Sequence, residues 1–163
     1  MPAPLAETVI QAIQAAFAEL PMPPADALKN DHCQECTDTW RWFLDVAAEV
    51  MTWKSAAAMP GKAIETSLLS VAAWRYYLPA LLIWCVRDRD TVDVLPDNVA
   101  HTLSRRSDDW FQARSSGFSP AQRQSVALFL EWYQDWRRAG GCTPGEGPLR
   151  HIAKGIAFWR SDG

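Results

Sequence analysis

Three side chains near the start of the chain, His32, Cys33 and Cys36, could hold a metal ion. Zinc binds thiolates and imidazoles, usually four in a tetrahedron, and two cysteines three residues apart have a common chelating spacing. A fourth ligand is less evident, because Cys142 and His151 are nine residues apart, which matches no standard zinc motif. The sequence therefore predicts no bound cofactor, with a zinc site as the alternative.

The same two cysteines allow two further interpretations. At the start of a helix, a Cys-x-x-Cys pair has its thiol pKa lowered by the helix dipole and the free amides, which favours redox chemistry. Thioredoxin-type motifs follow a strand in a βαβ unit, however, and no such strand is predicted here. In the structural interpretation, Asp31 caps the helix with Gln34 in the capping-box position, and the small thiols pack its first turn.

Arg75 and Tyr76 form a second candidate site, next to a proline at position 79. Arginine stacks on aromatic rings and pairs with acids, so these two residues would contribute to a ligand cleft. Aromatic residues at helical spacing usually belong to a core. A buried helix with an interhelix salt bridge is therefore the favoured interpretation, and the cleft is the alternative.

Nine tryptophans in 163 residues are more than a small helical core obviously requires. Trp132 and Trp136 are four residues apart and share a helix face, which is offset from the stripe that contains Phe129 and Tyr133. Exposed tryptophan beside charged residues is typical of binding hot spots. The alternative is that the C-terminal helix packs there. The predicted partner-binding surface comprises Trp110, Trp132, Trp136, Asp108, Asp109, Glu131 and Asp135.

Charge and hydropathy exclude several function classes. The net charge is −3 and the pI is about 5.6, whereas nucleic-acid-binding modules carry a basic face. No apolar run approaches the ~18 residues of a membrane span, and the N-terminus lacks the features of a signal peptide. We therefore expect a cytoplasmic protein that binds neither nucleic acid nor membrane. No catalytic motif is evident, which makes an enzyme the less favoured class.

Apolar residues recur at helical spacing along most of the chain, and no alternating strand pattern is found. We predict an all-α fold, with one compact domain over residues 1–163 built as a bundle of five to seven helices. The run from Val71 to Val86 contains no turn residue except Pro79, which predicts a central helix bent at that proline.

Local signals place the remaining elements. Ser119, followed by proline and by glutamine at the third helical position, predicts a capped helix start. A helix is expected from Asp31 through Met51. A linker is expected from Pro21 to about Asn30, and a polar, irregular segment from Ser104 to Gly117.

Several motifs also carry a resemblance. They are Asp31-His32-Cys33 with Glu35-Cys36, the run Arg75-Tyr76-Tyr77-Leu78-Pro79-Ala80-Leu81-Leu82, and Ser119-Pro120-Ala121-Gln122. Over roughly residues 5 to 136 they resemble a family of small uncharacterised bacterial proteins. The resemblance implies no particular activity. Small acidic bacterial proteins of this type often include immunity proteins, which bind and neutralise a toxin.

Elimination, composition and this resemblance lead to one functional hypothesis. We expect a non-enzymatic protein that binds another protein, in the manner of an immunity protein that blocks a toxin or secreted effector by steric occlusion. The alternative is a small metal- or thiol-dependent protein that uses His32, Cys33 and Cys36.

Overall fold

The computed structural model describes residues 5–44, 51–104 and 109–161. In these ranges the chain forms nine α-helices and two 3₁₀ turns, Thr66–Leu68 and Gly147–Leu149, and no strand. The helices are α1 (Ala6–Ala16), α2 (Ala25–Leu28), α3 (Gln34–Leu44), α4 (Trp53–Ala58), α5 (Val71–Arg87), α6 (Leu95–Ser104), α7 (Asp109–Ser115), α8 (Pro120–Ala139) and α9 (Ile152–Arg160). The all-α prediction is confirmed, but the helix count exceeds the predicted five to seven.

The additional helices are short. α2 lies in the segment expected to be a linker, and α7 lies in the segment expected to be irregular. With four and seven residues, they contain too few turns to show a hydrophobic period. α4 begins at its own cap, because the Thr52 hydroxyl accepts a hydrogen bond of 3.1 Å from the Ser55 backbone N–H.

α5 lies at the centre of the structure. The Ser70 hydroxyl caps it by accepting a 3.0 Å hydrogen bond from the backbone N–H of Ala73. It packs against α1, α2, α4, α6 and α7, and every residue from position 76 to position 86 is buried. The helix continues through Pro79, as predicted, and the bend at that residue stays a prediction. Neither α5, with 17 residues, nor any other helix in the described ranges is long and apolar enough to cross a membrane.

α8 and α9 form the second half of the core. α8 begins with the predicted capping box, in which the Ser119 hydroxyl accepts from the Gln122 N–H while the Gln122 side chain accepts from the Ser119 N–H. α9 packs on α8 and α6, and the Trp159 indole N–H donates to the Leu103 carbonyl at 2.7 Å. At the crossing of α6 and α9, a Cβ added at Gly155 would lie 2.7 Å from the hydroxyl of Ser104.

Candidate functional site

The two cysteines near the start of α3 are close together. α3 begins at Gln34, and the backbone N–H of Cys36 donates to the sulfur of Cys33 at 3.3 Å. Cys33 therefore occupies the capping position, and the prediction of Asp31 as the cap is wrong. α3 begins three residues after Asp31, so the first free N–H groups of the helix lie next to Cys33 rather than next to Asp31.

The pair is asymmetric. Cys33 is exposed, whereas Cys36 is buried, and their sulfur atoms are 2.9 Å apart. The hydrogen bond between the sulfurs lowers the pKa of Cys33, and the backbone N–H of Cys36 lowers it further. The same bond raises the pKa of Cys36, and burial adds to this increase.

This arrangement suits nucleophilic sulfur chemistry. The thiolate is the reactive form of cysteine, and an exposed thiol with a lowered pKa is the form that attacks other sulfur atoms. A disulfide bond measures about 2.05 Å, so a small side-chain rotation would bring the two sulfurs of Cys33 and Cys36 within bonding distance.

A metal site needs further donors. His32 and His151 are exposed and Cys142 is half-buried. In the part of the chain that the structure describes, no group of three or more His, Cys, Asp or Glu side chains is placed to hold a metal ion. The expectation of no bound cofactor stays a prediction. Elemental analysis of untagged protein tests it, and one equivalent of zinc that is lost in Cys36→Ser would contradict it.

The tryptophans of α8 are less accessible than their spacing suggested. Trp132 is only 6% exposed, so the expectation that it lies at the surface is wrong. α1, α6 and α9 all contact α8, and more than one stripe of the helix is therefore covered. Trp136 is half-buried and stacks on Trp132, with ring centroids 5.7 Å apart and planes inclined by 7°.

The other described members of the predicted partner-binding surface lie on two helices, α7 and α8. Trp110 is half-buried and lies 3.7 Å from the guanidinium carbon of Arg114, which stacks on its ring. Asp109 is exposed, whereas Asp108 lies outside the described residues. Two of the acids are engaged within the chain: Glu131 pairs with Arg160, and Asp135 pairs with Arg138.

The two residues of the second candidate site, Arg75 and Tyr76, lie in different environments. Tyr76 is buried, as the core interpretation requires. Arg75 is half-buried, and its guanidinium carbon lies 5.6 Å from the ring centroid of Phe118. The expected salt bridge of Arg75 is not present among the described residues, so this arginine stacks on an aromatic ring instead.

Sequence reasoning missed two arginines. Arg114 is buried, and its Nη2 donates to the Leu69 carbonyl at 2.6 Å. Burial lowers the pKa of Arg114 to about 10. Arg123 donates from Nη2 to the Phe158 and Ser161 carbonyls, at 2.5 and 3.1 Å. No local motif marks either residue, because each contacts a segment that is distant in sequence.

Comparison with known proteins identifies the family of the chain but assigns it no activity. A family of unknown function (DUF6714) matches residues 6–139, a range that contains Cys33, Cys36, α5 and α8. No curated protein matches the chain. No solved structure matches it either. The chain therefore belongs to this family of unknown function.

Proposed function

We propose that the chain is a thiol–disulfide exchange protein in which Cys33 attacks and Cys36 resolves. The observation that carries this proposal is the short distance between the two sulfurs, 2.9 Å, together with the exposure of Cys33 and the burial of Cys36. An attacking thiol has to meet its partner at the surface, whereas a resolving thiol needs only to reach its neighbour. The asymmetry of the pair fits these two roles.

The reaction consists of two substitutions at sulfur. The Cys33 thiolate attacks one sulfur of a partner disulfide, forms a mixed disulfide and releases the first partner thiolate. Cys36 then gives its proton to water, attacks the Cys33 sulfur and closes the internal disulfide, which releases the second partner thiolate. The protein gives up two electrons and two protons, and the partner disulfide becomes two thiols.

Mass spectrometry after treatment with glutathione disulfide tests both steps. All variants carry Cys142→Ser, because Cys142 is half-buried and could react on its own. We expect the chain with both active cysteines to form an internal disulfide without a glutathione adduct. Cys36→Ser should retain one glutathione on Cys33, because the second substitution cannot occur. Cys33→Ser should form neither product.

Two outcomes would contradict the proposal. One is an adduct on Cys33 that persists although Cys36 is present, since the resolving step would then fail. The other is a Cys33 that reacts no faster than the same residue in the urea-unfolded chain, since the folded site would then confer no reactivity.

Protein binding is a second candidate function, which rests on the surroundings of Trp136. This half-buried ring stacks on Trp132, and the guanidinium carbon of Arg137 lies 5.4 Å from its centroid. Arg137 in turn pairs with Asp97 at 3.5 Å. Aromatic and arginine side chains of this kind dominate binding hot spots. The partner would be a toxin or secreted effector that the protein blocks by steric occlusion.

Co-expression with a toxin encoded beside the gene tests this second function. We expect the chain to restore growth, Trp136→Ala to lose that protection and Cys33→Ser to keep it. Full protection by Trp136→Ala would contradict a role for the Trp136 surface, and loss of protection in Cys33→Ser would assign the protection to the thiols instead.

A further inference from the structure

A groove of about 880 Å³ lies between the α7–α8 junction and the last turn of α9. Sites for small organic ligands commonly have volumes of about 300–1,000 Å³, so the groove is large enough for one. The residues that matter for its chemistry are Phe118, Arg123, Gln124, Phe158, Trp159 and Arg160.

The groove is electropositive although the protein as a whole is acidic. Its lining contains two arginines and, among the described residues, no aspartate or glutamate, whereas the chain has a net charge of −3. Glu131 neutralises Arg160. Arg123 has no carboxylate partner within the described ranges, and its Nη1 has no acceptor there. One unneutralised positive charge therefore lines the groove.

A second positive charge without an acidic partner in the described ranges, that of Arg75, lies immediately behind the backbone that lines the groove. Gly117 has a positive φ of 74°, and a Cβ added there would collide with Nη2 of Arg75. The Arg75 guanidinium thus passes directly against the backbone of a residue that lines the groove. Like Arg123, it has no acidic partner among the described residues.

The remaining wall is aromatic. Phe118 and Trp159 meet edge to face, with ring centroids 5.5 Å apart, and Phe158 meets Trp159 in the same way at 5.3 Å. Trp159 is only 1% exposed, so the half-buried Phe118 and Phe158 supply the accessible ring surface. The guanidinium carbon of Arg123 lies 4.9 Å from the Phe158 centroid, which places its charge against that surface. The groove therefore combines aromatic surface with uncompensated positive charge.

We infer that this groove binds a small flat organic anion of the aromatic carboxylate class. The accessible surface of Phe118 and Phe158 would contact the flat body of the ligand, and the arginine charges would favour its carboxylate. The site lies on α7, α8 and α9 and does not include Cys33 or Cys36, so the inference is independent of the exchange function proposed above.

Calorimetric titration with two probes of the same shape and opposite charge tests the ligand class. We expect 2-naphthoate to bind more tightly than 2-naphthylmethylamine, and inorganic phosphate to bind more weakly than 2-naphthoate. Equal affinity for the two naphthyl probes would overturn the assignment of an anion. Phosphate binding as tightly as 2-naphthoate would overturn the assignment of a flat ligand, and undetectable naphthoate binding would overturn the site.

Two charge variants on α8 test the location. Gln124→Glu adds a carboxylate to the exposed lining of the groove, near a helix N-terminus where an acid is well tolerated. We expect it to weaken 2-naphthoate binding about tenfold, the effect of one charge several ångströms away in a partly solvated groove. Gln134→Glu makes the same change about 15 Å further along the helix and should bind like the parent chain. Equal weakening in both variants, with circular dichroism unchanged, would overturn the assignment to this groove.

Discussion

The start of α3 and the α8–α9 pair are stabilised in different ways. α3 begins on a thiol sulfur that accepts a hydrogen bond of 3.3 Å, and its main contact in the described part of the chain is the 3₁₀ turn Thr66–Leu68. α8 begins with two reciprocal hydrogen bonds and packs against α1, α6 and α9. Cys33 and Cys36 therefore lie at the start of a helix with few packing partners among the described residues, whereas the groove lies on helices with several. Sulfur exchange requires exposure and small movements, and a binding groove requires fixed walls.

Alkaline pH should have the largest effect, because it acts on all three tyrosines. Burial raises the pKa values of Tyr76, Tyr77 and Tyr133, and the hydrogen bond to Asp97 raises that of Tyr133 further. The folded chain thus keeps protons that the unfolded chain releases above pH of about 10. The free energy of unfolding should fall as the pH rises beyond that value. Tyrosinate absorbance should appear together with the loss of helical circular dichroism, and full absorbance in a native spectrum would contradict this.

Trp159→Ala should cause the largest loss among single substitutions in the α8–α9 pair. The indole is 1% exposed and donates to the Leu103 carbonyl, so its removal leaves a cavity and an unsatisfied acceptor. We expect the free energy of unfolding to fall by about 3–5 kcal/mol, measured by urea denaturation. Lys154→Ala, an exposed change on the same helix, serves as the control and should stay within about 0.5 kcal/mol.

Gly155→Ala tests how closely α6 and α9 approach each other. Helix propensity alone would make alanine more stabilising than glycine by about 1 kcal/mol. The added methyl group would, however, meet the backbone and hydroxyl of Ser104, and such overpacking costs about 1–3 kcal/mol. We expect net destabilisation in urea. A gain in stability would show that α6 and α9 separate easily. The packing around α9 would then differ less from the packing around α3.

Ser119→Ala should lower the free energy of unfolding by about 0.5–2 kcal/mol, the usual contribution of a serine cap. The measurement is the shift of the urea midpoint at constant slope. Ser116→Ala changes a nearby exposed serine and is the control. A midpoint shift for Ser119→Ala that is no larger than the control's would argue against the cap.

Cys33→Ser should have the smallest effect on stability. Serine is a favoured capping residue and can accept the Cys36 N–H in place of sulfur. We expect the free energy of unfolding to change by less than about 0.5 kcal/mol, although the glutathione reaction is lost. A loss above about 1 kcal/mol would mean that the Cys33 thiol is mainly structural. The start of α3 would then resemble the α8–α9 pair in its contribution to stability.

Much of the fold follows from local signals. The apolar run of α5 and the Ser119 cap of α8 predicted both helices, because the deciding interactions lie within a few residues. The chelating spacing of Cys33 and Cys36 likewise indicated that their side chains lie close together, and their sulfurs are 2.9 Å apart. The choice of Cys33 over Asp31 as the cap was not predictable, since both residue types can accept from the backbone and the position of the first turn decides between them.

Tertiary packing accounts for the remaining errors. The burial of Trp132 depends on how many helices surround α8, which a helical period within one segment does not show. Trp53, Trp74, Trp84 and Trp159 are buried as well. The high tryptophan content therefore largely supplies the core rather than a surface. Arg114 and Arg123 were missed for the same reason, because their acceptors are the carbonyls of Leu69 and of the end of α9.

The bonds from Arg123 to the end of α9 also bear on where this domain ends. The region that matches the family stops at residue 139, before α9 begins. Ile152 and Trp159 are nevertheless fully or almost fully buried, and Arg123 donates to the carbonyl of Phe158 in α9 and to that of Ser161, which follows the helix. A chain shortened to the family region would expose the faces of α6 and α8 that α9 covers. The packed helices thus extend beyond the region of sequence similarity, and a relative without an equivalent of α9 would need another element to cover the same surface.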